Sequence, residues 1–310
     1  MELSNSVKKR FLKDWSIPFQ VVQEPFWNYA IDEINLVYDT KSNVQLLEET
    51  IKKLGTEEEF FSEGHRIKYD LINSIKSTKT YQKLGQDKLN DYKIQNKVKQ
   101  QNIYTVDNTN KTFISLDLKK ANFNVFKYYN PELVLNFETY EDLIGSVTDL
   151  EYFKGSKYLR QVIFGNLLPK KQQLLQKFVI GKLVEFLSNE MNIQIEDILS
   201  SSSDEVVFVV GENDAEQIVQ SIKNKLHQIE DVKEFASWVH VETFKLVQVE
   251  NKPYFVKEFP SDKVEFKGIP SFLFMQVYKK YFNKEEIDLD RVFYHEGFLA
   301  RFEQGVFDDV

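Results

Sequence analysis

Hydrophobic and polar positions follow two different periods along this chain, and the change from one to the other divides it. Up to about residue 103, apolar residues recur every three or four positions, the spacing that gathers them on one face of a helix. Pro25 suits a first helical turn, and Phe26, Ala30, Ile31, Ile34 and Val37 follow it at that spacing. Ser42 is expected to cap a second helix, 44–54, which Gly55 closes. Thr56 and Glu59 form a capping-box pair ahead of a third helix, whose apolar side is Phe60, Phe61, Ile67, Leu71, Ile72 and Ile75. Residues 76–103 are strongly polar, with Lys and Gln repeated, and predict an exposed helix or linker at a domain boundary.

Strand character begins near Ile103 and is clear at 112–118. Helical spacing returns over 119–129, 140–144 and 156–164, and in a long helix from Pro169 to about Met191. The run Val206 to Val210 is apolar on both faces and reads as a buried strand, and 214–226 reads as an amphipathic helix. Residues 236–258 alternate, with Trp238, His240, Glu242 and Phe244 on one parity and Asn251-Lys252-Pro253 as the turn. A helix over 271–282 and a short mixed element over 287–302 complete the chain. The predicted fold class is α+β: a small, palm-like antiparallel sheet backed by helices, with a helical N-terminal domain. The expected domains are 1–103, helical; 104–235, palm-like; and 236–310, a mixed segment packing on the palm.

Composition narrows the function classes. With 42% hydrophobic and 28% charged residues the chain is globular rather than disordered, and only 11 glycines and 7 prolines agree with much helix. A net charge of −8 argues against a protein that coats nucleic acid, yet it leaves room for a basic groove on an acidic body. The absence of cysteine excludes disulfides, zinc ribbons and thiol catalysis, and it fits a reducing compartment. No apolar run approaches a membrane span and no signal peptide is apparent, so no membrane partner and a cytoplasmic location are expected. His65, His227, His240 and His295 are scattered without metal-ligand spacing, and there is no P-loop.

The chemistry gathers at two strand ends. Asp204-Glu205 stands directly before the strand at Val206, after a run of four serines, and Asp117 lies near the end of the strand 112–118. If these strands are neighbours, the three acids converge. Such a cluster binds a hard divalent cation, Mg²⁺ or Mn²⁺, with the carbonyl of Leu118 as a further ligand. In nucleotidyl transfer two metal ions clamp the attacking and leaving oxygens. Between the acids, Lys157 and Arg160 lie one helical turn apart, suited to holding phosphate, with Lys170 and Lys171 as further candidates. The plain alternative has Asp117 capping the next helix, Asp204 and Glu205 as solvated turn acids, and the cations on a surface helix.

The stretch Ser203-Asp-Glu-Val-Val-Phe-Val-Val210 resembles the Ser-Asp-Glu-plus-strand motif of the tRNA-His guanylyltransferase family, and also the Gly-Gly-Asp-Glu-Phe loop of diguanylate cyclases. Ile114-Ser-Leu-Asp-Leu-Lys-Lys-Ala-Asn-Phe123 is similar to the first metal-binding strand and turn of both. The segment Lys157 to Gly165 resembles the fingers helix of repair-type DNA polymerases. These resemblances cover roughly residues 110–230. They imply a palm domain with Asp117 and Asp204 as metal ligands, Glu205 beside them, and a nucleoside triphosphate joined to an RNA or DNA end. Ser202 and Ser203 replace the two glycines of the cyclase loop, which turns the expectation from cyclic dinucleotides to nucleotidyl addition. The rival expectation is a binding or structural protein of palm fold whose acids are unused.

Overall fold

The computed structural model describes residues 2–94 and 98–284, and the backbone alone of Val292–His295 and Phe298–Arg301. The N-terminal third is helical: α1 (Asn5–Asp14), α2 (Phe26–Glu33), α3 (Asn35–Tyr38), α4 (Thr40–Leu54), α5 (Glu57–Ser77) and α6 (Lys79–Gln86). Thr56 caps α5, its Oγ1 accepting the Glu59 N–H at 3.1 Å. Two local expectations need correction. The first predicted helix breaks at Ile34, and α4 begins ahead of Ser42. Asp39, in the left-handed region (φ 46°), makes that turn, and Ser42 Oγ donates to Asp39 Oδ1 at 2.7 Å instead of capping.

The remaining elements are β1 (Thr112–Leu118), α7 (Ala121–Tyr129), α8 (Tyr140–Gly145), α9 (Glu151–Gly155), α10 (Lys157–Gly165) and α11 (Pro169–Glu190). They continue with β2 (Ile198–Ser201), β3 (Glu205–Val210), α12 (Ala215–Leu226), β4 (Val239–Gln248), β5 (Phe255–Glu258), β6 (Val264–Lys267) and α13 (Phe274–Phe282). Two strands escaped the sequence reading. β2 contains two of the four serines and shows no hydrophobic alternation, and the alternation of β6, Val264-Glu-Phe-Lys267, is only four residues long. The mixed element expected over 287–302 lies largely outside the described residues. Its described backbone forms a two-stranded antiparallel ladder, β7 (Val292–His295) with β8 (Phe298–Arg301).

Strand order in the main sheet is β2-β3-β1-β4-β5-β6, antiparallel throughout. The first four strands and their connecting helices form a β-α-β-β-α-β unit with β1 and β3 adjacent at its centre. This is the α+β sheet backed by helices that the sequence predicts. Residues opposite one another across antiparallel strands share a face, so the register sorts the side chains. Ile114, Leu116 and Leu118 of β1, with Val206 and Phe208 of β3 and Val241 of β4, meet α7, α11 and α12. The opposite face carries Phe113, Ser115 and Asp117, with Val207 and Glu205 of β3 and His240, Glu242 and Phe244 of β4. Its apolar half is a small separate cluster beneath Ile103, Tyr104 and Phe259. β1 buries Phe113, Ile114, Leu116 and Leu118 almost completely. At roughly 1.5–3 kcal/mol for each such side chain, the strand that carries Asp117 is firmly anchored.

The boundaries expected at 103 and 235 fall inside one contiguous core, which runs from Leu3, just ahead of α1, to Tyr278 in α13. The polar stretch 76–103 also joins this core where it is described. Leu84 and Leu89 are buried, and Tyr92 packs edge-on against Phe178 of α11. Ile94 lies so close to α11 that a Cβ on Gly181 would stand 2.3 Å from Ile94 Cγ2, which is why this long helix carries a glycine in its middle.

Candidate active site

Asp117 sits in the last full turn of the ladder. Its Cα partners are Glu205 on β3 and His240 on β4. Two backbone bonds lock the end of the strand: the Leu118 N–H donates to the Asp204 carbonyl at 2.8 Å, and the Lys119 N–H to the Trp238 carbonyl at 2.8 Å. The first bond fixes the tip of the β2–β3 hairpin beside the acid-bearing end of β1. Asp117 does not cap α7, which lacks a side-chain cap, so the plain structural role considered for it is not the one it has.

The hairpin tip explains the serines. Ser203 and Asp204 are its two loop residues, flanked by Ser202 and Glu205, whose backbones pair with Ser202 N–H donating to the Glu205 carbonyl at 2.8 Å. Neither loop residue takes a positive φ, so glycine is not required. Ser202 Oγ instead accepts the N–H groups of Asp204 (3.2 Å) and Glu205 (3.0 Å), and it donates to Asp204 Oδ1 at 2.9 Å. One hydroxyl thereby orders the turn and orients the Asp204 carboxylate.

The charge at this end of the sheet is unbalanced. Asp117 is half-buried, and its carboxyl is pushed up to about 6, first by burial and then by Glu205, Asp204 and Glu242, against the opposing influence of His240. His240 Nε2 lies 3.1 Å from Glu242 Oε2. Glu205 is the exception among these carboxylates. Its Oε1 accepts Ser115 Oγ at 2.7 Å and Lys257 Nζ at 3.0 Å. The ammonium of Lys257 is buried, at 5% side-chain exposure, above the Phe244 ring.

A cationic wall faces the acids. Ser156 caps α10, its Oγ accepting the Leu159 N–H at 2.9 Å and donating to the buried Asp14 of α1 at 2.5 Å. Asp14 also receives Tyr152 Oη at 2.9 Å and Arg10 Nε at 2.8 Å. This anchor sets the helix that presents Lys157 and Arg160 one turn apart. Arg160 lies 5.5 Å from the centre of the Tyr140 ring, and burial pulls its pKa down. Among the described residues neither Lys157 nor Arg160 has an ion-pair partner. At the other end of α10, Gln172 of α11 donates to the carbonyls of Phe164 and Leu167, satisfying helix-end acceptors.

Asp117, Leu118 and Asp204 line the same 430 Å³ cleft as Lys157 and Arg160, between the hairpin tip and the start of α7 on one side and α10 and α11 on the other. Five of the residues singled out from the sequence, spread over 88 positions of chain, are thus brought together (117 to 204, both ends counted). Three are not. Glu205 shares the open face with Asp117 but is held by Ser115 and Lys257 outside the cleft lining, Lys170 is exposed on the first turn of α11, and Lys171 donates to the Asp87 carbonyl. Sequence reasoning missed Lys120, Gln172 and Gln176 in the cleft, and Lys257 behind it. Lys120 was signalled by its place three residues after Asp117, and the two glutamines by their i,i+4 spacing on a helix otherwise read for its apolar stripe. Lys257 gave no signal beyond a charge inside an apolar strand.

No set of three or more His, Asp or Glu side chains closes on a metal-sized centre among the described residues. Two carboxylates, a backbone carbonyl and an open cleft nevertheless fit Mg²⁺, which keeps several waters and completes its shell with substrate phosphates. Comparison of the chain with family models, with curated proteins and with solved structures found no match. Among the described residues no helix is long and apolar enough to cross a membrane.

Proposed function

We propose that this protein is a palm-type, Mg²⁺- or Mn²⁺-dependent nucleotidyltransferase that joins a nucleotide from a nucleoside triphosphate to a nucleic-acid end. The observation that carries this reading is the meeting in one cleft of two carboxylates at strand ends with two cations on a facing helix that have no ion-pair partner among the described residues. A metal triphosphate needs that polarity: acids for the metal, cations for the phosphate oxygens. Asp117, Asp204 and the Leu118 carbonyl would hold the ion, which when bound would stabilise the charge that develops on the transferring phosphoryl group. Arg160 offers a planar fork of donors, suited to two phosphate oxygens at once, and Lys157 a mobile point charge one turn nearer solvent. Lys120 lines the same cleft, its ammonium paired with Glu141. The cytosol is the compartment proposed, on the absence of cysteine.

The rival reading, a palm-fold binding protein without turnover, draws on the ion pair that occupies Glu205. Calorimetry with Mg²⁺ and a nucleoside triphosphate tests both. Wild type binds, and Asp204→Ala loses about tenfold or more in affinity, the equivalent of roughly 1.4 kcal/mol. Equal binding by the two proteins, or binding by neither, removes the metal site. Incorporation of labelled triphosphate with an RNA or DNA primer then separates enzyme from binder.

A further inference from the structure

We infer that the cleft takes one divalent cation rather than two, because the Lys257 ammonium already occupies the Glu205 oxygen that a second ion would need. The inference rests on the nucleotidyltransferase reading. Lys257 is opposite Leu246 in the β4–β5 register, which sets it on the open face of the sheet with Phe244, Ser115, Asp117 and Glu205. From β5 its side chain reaches across β4 and β1 to Glu205 on β3, passing 4.4 Å from the centre of the Phe244 ring. The residue is 4% exposed. Stretching a lysine so far inside a protein costs rotamer entropy and desolvation, and apolar side chains fill such a space at lower cost. Stability alone therefore gives no reason for the pair.

Its position supplies one. Glu205 is the acid that faces Asp117 across the ladder, where a third metal-binding carboxylate would stand. Its Oε1 is shared by Ser115 Oγ at 2.7 Å and Lys257 Nζ at 3.0 Å. A Mg²⁺ ion bound to that oxygen at about 2.1 Å would lie within about 5 Å of the ammonium, where the two cations repel strongly. The ammonium thus neutralises Glu205 permanently and leaves Asp117 and Asp204 to a single ion. Lys257 acts as a positioning residue: it holds Glu205 and touches neither metal nor substrate.

Counting bound Mn²⁺ by the loss of the free-ion paramagnetic resonance signal reads this directly, without turnover. Wild type and Lys257→Arg bind one ion per chain. Lys257→Met, which releases Glu205, binds two, and Lys257→Met combined with Glu205→Gln returns to one. Two ions in wild type overturn the inference with no variant needed, and so does a folded Lys257→Met that still binds one; in both cases the nucleotidyltransferase reading stands. No ion in wild type, at concentrations that saturate ordinary Mg²⁺ enzymes, removes that reading and the inference together. Should Lys257→Met not fold, Lys257→Gln carries the same expectation, and the wild-type count still decides.

Discussion

Asp117→Asn is expected to melt at a higher temperature than wild type at pH 7.5 and to lose the proposed binding of Mg²⁺ with triphosphate. The two effects share a cause. Burial and the neighbouring Glu205, Asp204 and Glu242 raise the Asp117 carboxyl from 3.8 to about 6, so the folded protein holds an ionised group that it disfavours at neutral pH. For an acid with a raised folded-state pKa, the native state binds more protons than the unfolded chain between the two values. Stability then falls as pH rises from about 4 to about 6 and stays low above that. The shift corresponds to an upper bound of about 3 kcal/mol, reduced by solvent screening of a half-buried group to about 1–2 kcal/mol. Asparagine removes this cost, which in a chain of this size amounts to a few degrees of melting temperature. The gap between variant and wild type closes as pH falls towards 4, where both side chains are neutral. Added Mg²⁺ and triphosphate reverse the order, since only wild type gains from binding. Thermal melts at several pH values, with and without ligand, check each part. An Asp117 that served the fold through a cap or an ion pair would give destabilisation at neutral pH instead.

Asp14→Ala is expected to be the most damaging single truncation near the site, although Asp14 does not line the cleft. Its carboxylate is fully buried and satisfies Arg10 Nε, Tyr152 Oη and Ser156 Oγ. Alanine leaves two buried hydroxyl donors and the partly buried, charged Arg10 without this acceptor. Loss of one partner from such a buried network costs about 3–5 kcal/mol. That is about 5–8 °C of melting temperature for a protein of this length. The effect also reaches function, because Ser156 is the cap that sets α10 and hence Lys157 and Arg160. Triphosphate affinity at a temperature where the variant is still folded therefore falls, with metal affinity in the absence of triphosphate much less changed. Denaturant titration and calorimetry on the same preparation separate the two contributions.

The parts legible in the sequence were those with a strong local signature. β1 and β3 declared themselves by β-forming residues on both faces, and Asp117 and Asp204 by standing polar at their ends. α10 and α11 declared themselves by period and by Ser156 and Pro169. The parts that were not legible depend on partners distant in sequence. β2 is a strand because its backbone pairs with β3, and its serines give no alternation to read. Glu205 adjoins Asp204 in sequence and faces Asp117 across the β1–β3 ladder, but which other side chains it meets depends on a strand distant in sequence. Lys257, 52 residues away, takes it. Lys170 and Lys171 follow a proline at a helix start, as phosphate-binding residues often do, and only the fold shows Lys171 turned to the Asp87 carbonyl. Segment 76–103 looked like a linker because its few apolar residues (Leu84, Leu89, Tyr92, Ile94) are widely spaced, yet each finds a place against the helices.

The core that runs unbroken from Leu3 to Tyr278 has a consequence for how this protein can be handled. The cleft-bearing middle of the chain shares that core with its flanks: α10 takes its footing from α1, and the sheet continues into β5 and β6. A gene fragment ending at either expected boundary would cut through packed side chains. Any rearrangement of the gene that preserved the cleft would have to carry the helical prefix and the trailing strands with it.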